Sequence, residues 1–166
     1  LSELAVHKLD IVLSDRAIPD GLGLKAYAHR LGESGMSFFG LRSKARRYRG
    51  KFPSSLNDAP MLLPSQHSAL RRRLDDWFES HELSPRIVGE FDDSALLKAF
   101  GEAGVGVFAA PTVIEEEICR MYRMAVIGQT DDIQERFYAI SAERRLKHES
   151  VVMITETARA GLFDDG

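Results

Sequence analysis

The sequence predicts an α/β domain with a mostly parallel sheet. Short apolar runs alternate along the chain with segments whose apolar residues recur at helical spacing. The 166 residues are 44% hydrophobic and 28% charged, which is enough to bury a core in one domain or two small lobes. The net charge of −3 argues against a chain that binds nucleic acid by itself.

The first third predicts a helix, strands and a basic helix. The chain opens with Leu1 inside an amphipathic run, which indicates a piece cut from a longer protein. Residues 10–14 predict a strand, and residues 24–40 predict one or two strands. The basic stretch after them predicts a helix that Pro53 stops.

The middle third carries the strongest helical pattern. Residues 59–64 predict a buried strand between prolines, and residues 85–91 predict another strand. Between them, apolar residues recur at i, i+4, i+7 and i+8, and Ser65 or Ser68 is suited to cap the helix. These apolar positions are Leu70, Leu74, Trp77 and Phe78.

The last third begins with a helix capped by Asp92 or Asp93. Its apolar positions are Leu96, Leu97 and Phe100, and Gly104 fits the left-handed position after its end. A strand over residues 105–111, a short helix, strands over 123–128 and 135–144 and a terminal helix follow. The stripe predicted for the terminal helix is Val151, Ile154, Ala158 and Leu162.

Gly101, Gly104 and Gly106 raise the question of a phosphate-binding loop. Such a loop precedes a helix, where free N–H groups point at the anion. These glycines follow a helix, where carbonyls repel phosphate, and their spacing does not match G-x-G-x-x-G. We therefore interpret them as a helix exit followed by tight strand packing.

Asp92 and Asp93 admit three interpretations: a catalytic pair, a helix cap, or the lining of a ligand site. Adjacent carboxylates rarely converge on one substrate atom, and no histidine lies nearby in sequence. Capping explains at least one of them. A role in lining a ligand site at that helix end stays open.

The other chemically active residues give weak signals. Six cations between Arg42 and Lys51 could touch phosphates, but a solvated helix face is the default interpretation. No histidine pair has zinc-binding spacing, and one cysteine, Cys119, allows no disulfide within the chain and fits a cytoplasmic setting. His67 lies between a strand end and a helix start, where a binding or pH-sensing role is open.

Several segments resemble LysR-type transcriptional regulators. Residues 8–19, KLDIVLSDRAIP, resemble a strand of that family's first regulatory lobe, and residues 91–111, FDDSALLKAFGEAGVGVFAAP, resemble a helix and strand of its second. Residues 52–78 are similar, more particularly, to a sodium-responsive activator of a sodium/proton antiporter gene. Residues 24–39 and 153–163 support the same resemblance.

The resemblance implies a periplasmic-binding-protein-like (type II) two-lobed effector domain, with lobe one incomplete. Residues 1–19 and 134–166 would be the remnant of lobe one, and residues 20–133 would be lobe two. The DNA-binding helix-turn-helix would be absent from this chain. The implied effector-cleft residues are Asp15, Arg16, Ser65, Gln66, His67, Ser68, Asp92, Asp93, Ser94, Gly106 and Phe108.

The implied function is effector sensing by a transcriptional activator, without catalysis. No cofactor is expected; the effector that the resemblance implies is a sodium ion or a small molecule, with Asp92 and Asp93 as possible ligands of the cation. The full-length protein would form dimers or tetramers and bind DNA through its N-terminal domain, without contact with a membrane. The alternative is a small-solute-binding protein or a small α/β enzyme of similar fold, although no nucleophile or metal motif supports an enzyme.

Overall fold

The computed structural model describes residues 9–15, 18, 26–142 and 149–163, with no account of the side chains at 149–151 and 162. The predicted opening helix and Arg16 lie outside the described residues. The chain divides into two compact units, Leu1–Ser34 with Glu135–Gly166, and Gly35–Gln134.

The described strands and helices follow the predicted alternation. The strands are β1 Ile11–Ser14, β2 Tyr27–Leu41, β3 Pro60–Pro64, β4 Arg86–Phe91, β5 Phe108–Pro111 and β6 Met124–Ser141. The helices are α1 Ala45–Arg49, α2 Ala69–Ser80, α3 Ser94–Glu102, α4 Glu115–Met121 and α5 Glu149–Phe163, with 3-10 turns at Ser54–Leu56 and Thr112–Ile114. The α/β fold class is confirmed.

The strand pairing corrects the expected sheet. β1 pairs with β6 and β2 pairs with β5 in antiparallel register, so the expectation of a mostly parallel sheet is wrong for these pairs. β3 and β4 are parallel, and a parallel bridge joins Met61 of β3 to Val107 just before β5. The boundaries between the two units fall within β2 and β6, so both long strands contribute to both units.

Helix α5 packs through its C-terminal end in the unit formed by Leu1–Ser34 and Glu135–Gly166. Phe163 lies against Phe137 of β6 at 5.5 Å between ring centroids, and Arg159 donates to the Arg30 carbonyl at 3.0 Å. Because these anchors set the helix rotation, Thr155 is buried and Ile154 is 46% exposed. The predicted stripe is therefore wrong at Ile154; the side chains of Val151 and Leu162 lie outside the described residues.

The unit Gly35–Gln134 has a core on both faces of its strands. Successive residues of a strand point to opposite faces, so Phe38 and Phe39 of β2 enter different clusters. The Phe38 cluster includes Leu74 and Trp77 of α2. The Phe39 cluster includes residues of α3 and α4. Helices thus cover both faces of these strands.

Candidate functional site

Three strands of the unit Gly35–Gln134 end at one edge. β3 and β4 are parallel with Pro64 opposite Phe91, and β3 is also parallel to the entry of β5 through Met61 and Val107. We define the carboxyl-end edge as residues 65–68, 92–94 and 112–115, which follow β3, β4 and β5. Ligands of open α/β sheets bind outside such strand ends.

The turn after β3 holds four of the predicted site residues. The Ser65 amide donates to the Phe91 carbonyl at 2.9 Å, so the turn begins beside the end of β4. Ser68 is the N-cap of α2, because its Oγ accepts from the Leu70 amide at 3.2 Å. Gln66 and His67 are exposed at the tip of the turn.

The turn after β4 holds Asp92, Asp93 and Ser94, all of them exposed. Asp93 is the N-cap of α3, and its Oδ1 accepts from the Leu96 amide at 2.8 Å. No hydrogen bond or ion pair of Asp92 is found among the described residues. One carboxylate therefore holds the helix start, and its neighbour is available to a ligand.

Gly106 and Phe108 support the edge from the interior. A Cβ atom at Gly106 would lie 2.8 Å from the Pro60 carbonyl oxygen, so glycine allows β3 and the entry of β5 to approach. Phe108 is 0% exposed and stacks on Phe39 at 5.3 Å. Its side chain therefore packs in the core, although the sequence placed it among the cleft residues.

The glycine interpretation is confirmed at Gly104. This residue has a φ of 77°, the left-handed region expected after a helix end. The apolar face predicted for α3 is confirmed only at Leu97, because Leu96 and Phe100 are 51% and 42% exposed. The exposed Phe100 still packs its ring 5.2 Å from that of Phe91.

The remaining predicted site residues belong to the other unit. Asp15 is exposed just after β1, in the unit formed by Leu1–Ser34 and Glu135–Gly166. Arg16 lies outside the described residues. The structure thus brings together the residues of the Ser65 and Asp92 turns, and it leaves the pair at 15–16 as a prediction.

Arg71, in the first turn of α2, is a buried charge that sequence reasoning missed. Its Nη1 donates to Glu90 at 2.6 Å and to the Pro64 carbonyl at 3.1 Å, and its Nε pairs with Asp75 at 2.9 Å. Burial disfavours the cation, but hydrogen bonds with Glu90 and Asp75 outweigh it and raise the pKa of Arg71. The guanidinium ties α2 to the ends of β3 and β4.

A second missed group gathers four polar side chains at the end of β5. Ser37 of β2 is 0% exposed, and its Oγ lies 3.0 Å from Thr112 Oγ1 and 2.7 Å from Glu115 Oε2. Gln129 of β6 donates to the same Glu115 oxygen at 2.6 Å. Since these residues come from separate elements with no shared spacing, no sequence motif could have found them.

The edge combines positive helix ends with negative side chains. Each helix N-terminus contributes about half a positive charge, so α2 and α3 together contribute about one. The carboxylates of Asp92, Asp93 and Glu115 more than offset it. The edge therefore places carboxylate oxygen atoms, the ligands that hard cations prefer, beside two positive helix ends.

Two further observations concern other kinds of site. A cavity of about 610 Å³ lies along the C-terminal half of α2, away from the edge, with Asp75, Glu79, Glu82 and apolar side chains in its walls. In the part of the chain that the structure describes, no three His, Cys, Asp or Glu side chains group to hold a metal ion. Within the same ranges, no helix is both long and apolar enough to cross a membrane.

Comparisons with known proteins identify related chains. The family model of the LysR substrate binding domain matches residues 1–161. The transcriptional activator protein NhaR of Escherichia coli (strain K12) is 36% identical over 163 residues, which are 98% of this chain and 53% of that protein. The chain therefore spans about half the length of this curated relative.

Solved structures show the same fold. The regulatory domain of HypT from Salmonella typhimurium, in its apo form, superposes with a TM-score of 0.67 at 23% identity, covering 97% of this chain and 78% of that one. CbnR, a LysR family transcriptional regulator, gives a TM-score of 0.69 at 13% identity, covering 95% and 54%. At these identities the likeness concerns the fold alone.

Proposed function

We propose that this chain, which belongs to the LysR substrate binding domain family, is the effector-sensing part of a transcriptional activator. The sequence of the activator NhaR is 36% identical to this chain over 98% of the chain's length, which supports this proposal. Residues 20–133 would form regulatory lobe two, and the carboxyl-end edge would be its ligand-facing wall. The chain would perform no catalysis.

The effector we propose for the carboxyl-end edge is the sodium ion. The observation that carries this proposal is the exposed Asp92 carboxylate beside the cap Asp93, at strand ends already rich in oxygen atoms. The sequence resemblance to a sodium-responsive activator points to the same ion. His67 is exposed at the same edge, where the binding or pH-sensing role considered from the sequence stays a prediction.

Sensing requires that sodium bind one conformation of the protein more tightly than another. A shift from mostly inactive to mostly active takes about 5 kcal/mol of differential binding. We propose that the activated full-length protein, as a dimer or tetramer in the cytoplasm, contacts promoter DNA through a separate domain. Its target would be a sodium/proton antiporter gene.

The test compares thermal melting in sodium chloride and potassium chloride at equal ionic strength. The wild-type chain should melt at a higher temperature in sodium than in potassium, since binding to the native state stabilises it. The double variant Asp92→Asn with Asp93→Asn should lose this difference. Asparagine caps helices about as well as aspartate, so the variant removes charge and keeps the cap.

The matched control is the double variant Asp76→Asn with Glu79→Gln. Both residues are exposed on the C-terminal half of α2, and neither side chain has a partner among the described residues. This variant removes two charges away from the carboxyl-end edge and should keep the sodium-specific difference. An unchanged difference in the Asp92/Asp93 variant would exclude the proposed cation site.

A further inference from the structure

Three arginines converge on a second concave surface of the unit Gly35–Gln134. A cavity of about 460 Å³ is lined by Arg42 at the end of β2, by Arg46 and Arg49 of α1, and by the start of β6. We call this surface the arginine groove. Its floor includes the fully buried Met124, and its opposite wall is formed by Glu115 and Cys119 of α4.

Two of the guanidinium groups are held in place by backbone carbonyls. Arg49 Nε donates to the Val126 carbonyl at 2.6 Å, and Arg42 Nη2 donates to the Cys119 carbonyl at 3.2 Å. A guanidinium has five N–H donors, so most of the donors on each group stay available. Because these groups are fixed in advance, a ligand would order few side chains on binding.

The three charges have no acidic partner among the described residues. The favourable interaction of cations with a helix C-terminus explains Arg46 and Arg49 in the last turn of α1. It does not explain Arg42, which lies before the helix, nor the convergence of all three around a cavity. Cations that line a concave surface of low polarity concentrate anions there.

We propose that the arginine groove binds a small oxyanion, the phosphate or carboxylate group of a small molecule. The planar guanidinium fork matches these groups in a bidentate manner. The cavity volume is in the range of small-molecule sites, and its apolar floor can receive the uncharged part of the ligand.

Glu115 sets one boundary of the proposed site. Its Oε2 is bound by Ser37 and Gln129, so its negative charge is fixed on the side of β2 and β6. An anion in the groove therefore binds at the three arginines, one of which, Arg42, contacts the Cys119 carbonyl. Glu115 borders both this groove and the carboxyl-end edge, and the ligands proposed for the two sites have opposite charge.

Cys119 provides a local probe, because it lines the groove and is the chain's single cysteine. The rate of alkylation by iodoacetamide would be measured against potassium phosphate, with potassium chloride at equal ionic strength and pH as the control. The rate should fall saturably, about tenfold at ten times the Kd. A rate that phosphate changes no more than chloride would exclude the site.

Arg46→Gln and Arg47→Gln separate a specific site from general basicity. Both residues are exposed on α1, and neither side chain has a described partner, but only Arg46 lines the cavity. Arg46→Gln should weaken phosphate binding about tenfold, the typical effect of losing a charge-assisted hydrogen bond, and Arg47→Gln should change it less than about twofold.

A short DNA duplex tests whether the surface instead binds polyanions. If the duplex protects Cys119 and both variants weaken phosphate equally, the proposed small-anion site is rejected in favour of diffuse binding to the phosphate backbone. If the duplex gives no protection and only Arg46→Gln weakens phosphate binding, the small-oxyanion site is supported.

Discussion

Arg71 and Arg72 are adjacent in sequence and have opposite environments in α2. Arg71 is 5% exposed and bound by Glu90 and Asp75, whereas Arg72 is exposed. The run of three arginines hides this difference. Helical spacing was the sequence feature that could have predicted the burial of Arg71, because this residue lies three positions before Leu74 and shares its face of the helix.

Arg71→Met should lower the free energy of unfolding by about 2 kcal/mol, because Glu90 and Asp75 lose their partner but can still reach water. Arg72→Met should change it by less than about 0.5 kcal/mol. Urea unfolding measures both. Equal effects of the two substitutions would contradict the role assigned to Arg71.

Asp132 makes a pH-dependent contact with α2. Hydrogen bonds from Trp77 Nε1, at 3.1 Å, and from Thr130 lower the pKa of Asp132 from its ordinary value of 3.8, with a smaller contribution from His81. A carboxyl whose pKa is lowered by folding stabilises the protein above its unfolded pKa. That contribution is lost as the pH falls through the folded pKa.

Asp132→Asn keeps an acceptor for Trp77 but removes the titration. The wild-type chain should be more stable than this variant near neutral pH, and the difference should shrink as the pH is lowered through 3.8, the ordinary pKa of the group, to lower values. Urea midpoints at a series of pH values measure it. A difference that is constant over that range would show that the charge of Asp132 contributes nothing.

At the start of α3, the carboxylate of Asp93 stabilises the helix and the carboxylate of Asp92 does not. Asp93 satisfies the Leu96 amide, and Asp92 has no described partner. The sequence predicted a cap at one of the two positions, and the structure selects Asp93. The sequence could not choose between them because either residue can precede the apolar positions of the helix.

Asp93→Ala should cost about 1 kcal/mol of unfolding free energy, the usual effect of losing an N-cap, and Asp93→Asn should cost only a few tenths. Asp92→Ala should be close to neutral by the same measurement. A loss at Asp92 as large as that at Asp93 would mean that the cap is shared.

β6 shows why long strands are harder to predict than helices. Its 18 residues were predicted as two separate strands, because the polar stretch from Gln129 to Asp132 interrupts the apolar pattern. Within this stretch the exposed Gln129 and Asp131 flank the partly buried Thr130, as in a half-exposed strand, and the alternation breaks only where Asp131 and Asp132 are both exposed. Because strands usually have five or six residues, the sequence favoured two short strands over the single long one that the structure shows.

For the whole molecule, local sequence patterns predicted the helices and strands, whereas contacts between distant segments decided the strand directions and the grouping of polar side chains. The alternation of strands and helices gave the α/β class, and the turn residues after β3 and β4 gave two of the three segments of the carboxyl-end edge. The strand directions of β1, β2 and β6 could not be read from periodicity. The cluster of Ser37, Thr112, Glu115 and Gln129 could not be found either, since only pairing of the strands assembles it.

Amide chemical shifts test most directly our proposal that the carboxyl-end edge binds a cation. Spectra of the ¹⁵N-labelled chain would be recorded as sodium chloride replaces potassium chloride at constant ionic strength. Saturable shifts should concentrate at residues 65–68, 92–94 and 112–115. Shifts that are absent there, or that are spread evenly over the surface, would exclude a cation site at the carboxyl-end edge.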